Sequence, residues 1–152
     1  MPAAHEVIHA TADDIEALAP LFDQYRVWYG MKSDLNGARN FLSHRLQNSE
    51  SVVFLAVVDN TAVAFAQLYP LFSSVSMEAV WLLNDLFVSE ASRKQGIGTT
   101  LLETAVQFGR DTGAIRMELA TGVDNIAAQA LYKSRGWQQN ETFVHYALPL
   151  GD

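Results

Sequence analysis

"LNDLFVSEASRKQGIGTTLLETA" occupies residues 83–105, and the order of its parts decides how the chain is read. A largely apolar run ends at Val88, a basic pair follows at Arg93 and Lys94, and Gly96 and Gly98 make a turn into an apolar-periodic stretch. That succession reads as strand, glycine turn, helix. Glycines at the opening of a helix leave backbone N–H groups uncovered where the macrodipole adds about half a positive charge. With two cationic side chains beside it, such a turn suits a diphosphate. Two familiar nucleotide motifs do not fit it. The P-loop requires Gly-Lys-Ser/Thr, and "GIGTT" has no lysine there; the dinucleotide fingerprint requires a third glycine where Leu101 stands.

Outward from this stretch the pattern continues as an α/β chain. Leu101, Leu102, Ala105 and Phe108 recur with Ile97 at helical spacing and predict a helix over 97–111, closed by Gly113. "EAVWLLNDLFV" at 78–88 predicts a central strand. Before it, "SVVFLAVV" and "AVAFAQLY" flank Asp59-Asn60-Thr61 and predict a hairpin. Two helices are predicted earlier. One runs over 12–28, opened by a capping-box pattern at Thr11 and Asp14 and kinked or divided at Pro20. The other covers 34–48. After the glycine turn and its helix come a strand at "IRMELAT", a helix over 124–134 and a last strand at "TFVHYAL". The order is β-α-α-β-β-β-α-β-α-β, an α/β sheet with helices packed on it.

"HEVIH" at 5–9 matches the zinc-protease pattern H-E-x-x-H letter for letter. The pattern works only on a helix, where the two histidines are neighbours. Here the stretch precedes a helix cap and reads as the first strand, which separates His5 and His9 by roughly 13 Å, far beyond two bonds of about 2 Å to one zinc. No metal is expected.

The bulk properties narrow the partners. At 152 residues with 49% hydrophobic content the chain is expected to form a single domain, residues 1–152. A net charge of −7 argues against nucleic acid as partner and toward a cationic one. No secretory pattern and no apolar run long enough for a membrane span are seen, so a soluble, cytoplasmic chain is expected. The absence of cysteine excludes disulfides and a thiol nucleophile.

Arg93-x-x-Gly96-x-Gly98 resembles the R/Q-x-x-G-x-G/A signature of the GNAT acyl-CoA N-acyltransferases, and "NIAAQALYKSRGW" at 125–137 resembles that family's second signature. "YRVWYG" at 25–30, together with 83–93, is similar to the histone and polyamine acetyltransferase branch. The resemblance spans nearly the whole chain. It implies a mixed, mostly antiparallel central sheet flanked by helices, acetyl-CoA as co-substrate, and a homodimer. On a helix, Asn125, Ala128, Gln129 and Tyr132 share one stripe, which sets an amide and a phenol side by side.

The reaction so implied is attack by a neutral amine on the thioester of acetyl-CoA in a ternary complex. An alkylamine of pKa near 10.4 is neutral in only about one molecule in 2,500 at pH 7, a handicap of about 4–5 kcal/mol. Tyr132 resembles the family's proton donor to the departing sulfur, and it counts with Asn125 among the expected cofactor-binding residues. Asp85, with Leu83 and Phe87 on one side of its strand and Asn84, Leu86 and Val88 on the other, is the expected proton acceptor, directly or through water. Asn84 stands where relatives in the polyamine branch can carry a glutamate. By resemblance, backbone groups of Phe87 and Val88 hold the pantetheine arm, and Arg93, Lys94, Gln95, Gly96, Ile97, Gly98 and Thr99 hold the diphosphate. Tyr25, Trp28 and Tyr29, with Asn84 and Asp85, are the expected acceptor site, because aromatic walls near carboxylates suit a cationic amine. A small cationic or amino-acid-like amine is the leading acceptor. The alternatives are a lysine on a histone-like protein tail and a non-catalytic acyl-CoA sensor.

Overall fold

The computed structural model describes residues 5–151. Contacts divide the chain into two compact units, Met1–Ala120 and Thr121–Asp152.

The first unit holds a five-stranded sheet with strands in sequence order: β1 (Glu6–His9), β2 (Val52–Val58), β3 (Thr61–Ser73), β4 (Glu78–Val88) and β5 (Arg116–Leu119). The neighbours pair antiparallel except β4 and β5, which run parallel. The hairpin joining β2 and β3 turns at Asp59 and Asn60, whose φ values of 49° and 63° are those a two-residue primed turn needs. β3 runs on through Pro70, beyond the expected end at Tyr69. β2 stops opposite Leu68, so from there β3 is an edge strand, where a residue lacking an N–H is tolerated.

One face of the sheet is covered by α1 (Ile15–Trp28) and α2 (Leu35–Gln47). Leu18, Leu21 and Phe22 of α1 and Leu42 of α2 close over Val53, Leu55, Phe65 and Phe87. The Thr11–Asp14 capping box is present, and Asp14 Oδ2 accepts the Thr11 N–H at 2.8 Å. A single 3₁₀ turn, Ala12–Asp14, precedes α1. Pro20 does not divide α1. It lies on the exposed face, where water can satisfy the Glu16 carbonyl that loses its helical donor. The other face receives α3 (Ile97–Asp111), whose Phe108 packs on Phe54 and Trp81 with ring centroids 5.5 and 5.3 Å apart.

"EVIHA" forms a strand over Glu6–His9, as read from the sequence. His9 stacks on Phe54 at 5.1 Å, while His5 Nε2 lies 3.1 Å from Thr100 Oγ1. The helix that the metalloprotease pattern requires is not there.

The second unit contains α4 (Ile126–Ser134), two residues shorter at its start than expected because Asn125 is its cap. The expected last strand over 142–148 does not form; residues 138–151 carry no helix or strand. Strand-like composition alone was not enough. A strand needs a neighbour for its backbone N–H and C=O groups, and this unit contains no other strand among its described residues.

The core predicts its own mutational cost. Leu18 is 0% exposed on the α1 face, and Leu18→Ala is expected to lower unfolding free energy by about 2–5 kcal/mol in a urea titration.

Candidate active site

β4 carries the site because its two edges are treated differently. Toward β3 it is paired along its length. Toward β5 it is paired only from Val80 to Leu83. The last five residues, Asn84 to Val88, have a free edge within this unit. Ser89 N–H donates to Val63 C=O at 2.8 Å, which makes the flanked pair Ala64–Val88 a non-hydrogen-bonded one. By alternation the N–H and C=O of Leu86 and Val88 point away from β3, and those of Phe87 point into the ladder toward Phe65. The expectation for Phe87 is therefore corrected: the outward groups belong to Leu86 and Val88. Arg93 agrees with this register, since its Nε–H donates to the Val88 carbonyl at 2.9 Å.

The glycine turn follows. Gly96 is the cap of α3 with φ 80°, Lys94 is also left-handed with φ 64°, and no side chain caps the helix. The first helical bond is Thr100 N–H to Gly96 C=O at 3.1 Å. The N–H groups of Ile97, Gly98 and Thr99 thus precede the helical ladder. Ile97's side chain is buried, so only its backbone can serve a ligand. A Cβ at Gly98 would touch Val88 Cγ2 at 3.6 Å, which shows how close the turn lies to the end of β4. Gln95 and Thr99 are half-buried in the same turn. An outward strand edge followed by bare N–H groups and two cations fits an acyl-CoA.

A bulge shapes the other half. Gln67 pairs with Asp85 and Leu68 with Leu83, so Asn84 is an extra residue in β4. Strict alternation, which put Asn84 and Asp85 on opposite faces, fails there. Asn84 Nδ2–H donates to Asp85 Oδ1 at 3.1 Å and Oδ2 at 3.2 Å. Asp85 is 7% exposed, and it also accepts from Gln67 Nε2 at 2.9 Å on Oδ2. Each such bond to a charged group is worth about 1.5–3 kcal/mol, which offsets the cost of burying a carboxylate.

Tyr25 joins this cluster. Burial pushes its phenol well above the ordinary value, and the Asp85 charge and a hydrogen bond to that carboxylate raise it further, with Tyr29 adding to both effects. Its ring meets Tyr29 at 5.0 Å and Phe87 at 5.5 Å. Trp28 and Tyr29 are 56% and 61% exposed, edge to face at 5.1 Å, and the Arg93 guanidinium lies 5.8 Å from the Trp28 ring and 5.7 Å from that of Phe87. The structure thus brings Tyr25, Trp28, Tyr29, Asp85, Phe87 and Arg93 to one end of β4.

In the second unit Asn125 Oδ1 accepts the Ala128 N–H at 3.2 Å as the cap of α4. Gln129 turns back to the Gly122 and Val123 carbonyls at 3.0 and 3.1 Å. Tyr132 packs against Trp137, centroids 6.0 Å apart, beside the turn at Gly136.

Comparison with known proteins decides the family. Residues 15–137 match the model of the acetyltransferase (GNAT) family. The chain belongs to the GNAT family. Acetyltransferases of this family use acetyl-CoA. The chain is 45% identical over 139 residues to an uncharacterised N-acetyltransferase, YhfO, of Bacillus subtilis (strain 168), covering 91% of this chain and 93% of that protein. A solved probable acetyltransferase is 44% identical with a TM-score of 0.92, covering 97% of this chain and 99% of that one. An aminoglycoside N-acetyltransferase in complex with CoA shares the fold at 20% identity, TM-score 0.79, covering 97% of each chain. Among the described residues no helix of this GNAT chain is long and apolar enough to cross a membrane.

Two participants escaped sequence reasoning. Gln67 is 0% exposed; a lone amide inside "AVAFAQLY" was the available signal. Leu86 offers only its backbone groups, and their outward direction follows from register, which needs the partner strand.

The cluster predicts a response to alkali. Burial, and next the Asp85 charge, push Tyr69 up to about 12 from 10.0, with Arg45 opposing. The fold favours the protonated phenol, so this contribution is complete below about pH 10 and lost as pH rises through about 12. Tyr69→Phe is expected to flatten the fall of thermal midpoint across that window.

Proposed function

We propose that this protein transfers acetyl from acetyl-CoA directly to the primary amine of a small cationic or amino-acid-like acceptor, as a single GNAT domain spanning both units. The observation that carries this reading is the buried Asp85 carboxylate beside the free end of β4, with Tyr25, Trp28 and Tyr29 around it. A chain of net charge −7 also attracts cations.

Leu86 and Val88 hold the pantetheine arm by backbone bonds, and Gln95 to Thr99 with Arg93 and Lys94 hold the diphosphate. Asn125, whose Oδ1 is committed to its cap, offers its amide nitrogen. When bound, acetyl-CoA supplies an activated acetyl carbonyl. The aromatic side chains receive the ammonium head, and Asn84 borders its path to Asp85. Asp85 takes the proton that the amine must lose. As the C–N bond forms and the C–S bond breaks, Tyr132 gives its proton to the sulfur. Desolvation by the aromatic wall lowers the cost of holding the amine neutral.

The test is release of free thiol from acetyl-CoA over a panel of polyamines, amino acids and histone-tail peptides. Turnover of a small amine supports the reading. A preference for the peptides moves the acceptor to protein lysine, and CoA binding without turnover makes the chain a sensor. Tyr132→Phe is expected to lower kcat by about 10²–10⁴-fold with little change in KM. Full kcat in this variant removes Tyr132 from the role. Asp85→Asn is expected to cost a similar factor and to change the shape of the pH–rate profile; an unchanged profile removes Asp85 as proton acceptor.

A further inference from the structure

Gln67 is the buried side chain that the acetyl-transfer chemistry leaves unexplained. It sits inside β3, two residues beyond Phe65 and paired with Asp85, at 0% exposure. Its Nε2–H donates to Asp85 Oδ2 at 2.9 Å. Its Oε1 is buried with no hydrogen-bond partner among the described residues. A methionine or leucine would fill this core position without stranding an acceptor. Rotating the amide offers no escape, because it would set a carbonyl oxygen against a carboxylate. A local violation of this kind, placed against a reactive group, is where a functional constraint is expected.

The bonds are unequal. Oδ2 of Asp85 takes Gln67 at 2.9 Å and Asn84 at 3.2 Å, Oδ1 takes Asn84 at 3.1 Å, and Tyr25 is a further partner of the carboxylate. Asn84 is exposed and Gln67 is not, so Asn84 can yield to an incoming ligand while Gln67 stays. An aspartate turns about two side-chain torsions; a donor fixed in the core restrains one oxygen and leaves the other bonded to the exposed Asn84.

We propose that Gln67 is a positioning residue that clamps Asp85 Oδ2 from within the sheet, presenting Oδ1 to the acceptor amine. This rests on the reading in which Asp85 accepts the amine's proton. The other groups facing the carboxylate are Tyr25 from α1 and Tyr69 from β3, with Arg45 of α2 acting on Tyr69. None of them replaces the bond from the core side. Gln67 itself touches no substrate, so its influence must pass through Asp85.

The experiment is a double-mutant cycle on the full chain, using the best amine of the panel: wild type, Gln67→Met, Asp85→Asn and the double variant. Gln67→Met is expected to lower kcat by about 10–100-fold, as for a misplaced reacting group, with KM for acetyl-CoA unchanged and the thermal midpoint lowered by the lost bond to the buried carboxylate. In the Asp85→Asn background, whose residual rate is measured at higher enzyme concentration, the same change is expected to cost less than about threefold. Should Gln67→Met fail to fold by circular dichroism, Gln67→Leu takes its place in the cycle. Full kcat in the Gln67 variant overturns the inference. So do additive losses, or a lowered midpoint with kcat intact, which make Gln67 a packing residue. If Asp85→Asn is impaired while Gln67→Met is not, only this inference falls. If no amine is acetylated by wild type, or Asp85→Asn is fully active, the underlying reading falls and takes this one with it.

Discussion

The parting of β4 from β5 after Leu83 is the constraint on which the rest depends. A sheet edge inside a fold is a liability, because its N–H and C=O groups lie open to any strand that passes. Here the edge is short and partly occupied. Arg93 takes the Val88 carbonyl, and Gly98 brings the start of α3 within van der Waals reach of Val88. An extended pantetheine arm that adds to such an edge obtains backbone hydrogen bonds without any side chain being dedicated to it. A donor held in that way calls for glycines and apolar strand residues rather than dedicated side chains.

Asp85 poses the opposite problem. A carboxylate at 7% exposure in a strand next to Phe87 must be compensated or the fold loses several kcal/mol, about 3–5 when one partner of a buried charge is removed. The compensation comes from three directions: Gln67 from β3, Asn84 from the bulge in its own strand, and Tyr25 from α1. The cluster therefore ties the helical layer to the sheet beside the free end of β4. Tyr25, read from sequence as part of an aromatic wall, is also a hydrogen-bond partner of the carboxylate. Burial favours its phenol form, the form that can donate to the carboxylate.

What was legible in the sequence was whatever local chemistry determines. Asp59-Asn60 foretold the hairpin, Thr11 and Asp14 the capping box, and Gly96 and Gly98 the turn into α3 at Ile97. What was not legible depended on partners distant in sequence. The outward groups on β4 are Leu86 and Val88 rather than Phe87, and that parity is set by Val63 and Ser89 across the ladder. Pro20 suggests a break until the exposed side of α1 is known. The segment 142–148 is aromatic-rich like a strand, yet composition supplies no hydrogen-bonding neighbour. Gln67 looked like one polar residue in an apolar run; only its proximity to Asp85 gives it meaning.

The bulge at Asn84 explains how one strand can serve two substrates. In a regular strand the backbone polar groups lie in the plane of the sheet and the side chains stand perpendicular to it. β4 can therefore offer Leu86 and Val88 edgewise to the donor while Asp85 and Phe87 face the α1 layer, and neither use obstructs the other. A strand without the extra residue would put Asn84 and Asp85 on opposite faces. Asp85 would then lose its donor on the exposed side and depend on the core side alone. The bulge breaks the alternation at that single step, brings Asn84 onto the carboxylate, and lets the strand resume its pairing with β3 from Asp85 to Val88. It also falls where pairing with β5 ends, at Leu83. The same step thus frees the backbone edge of β4 and sets the carboxylate beside it.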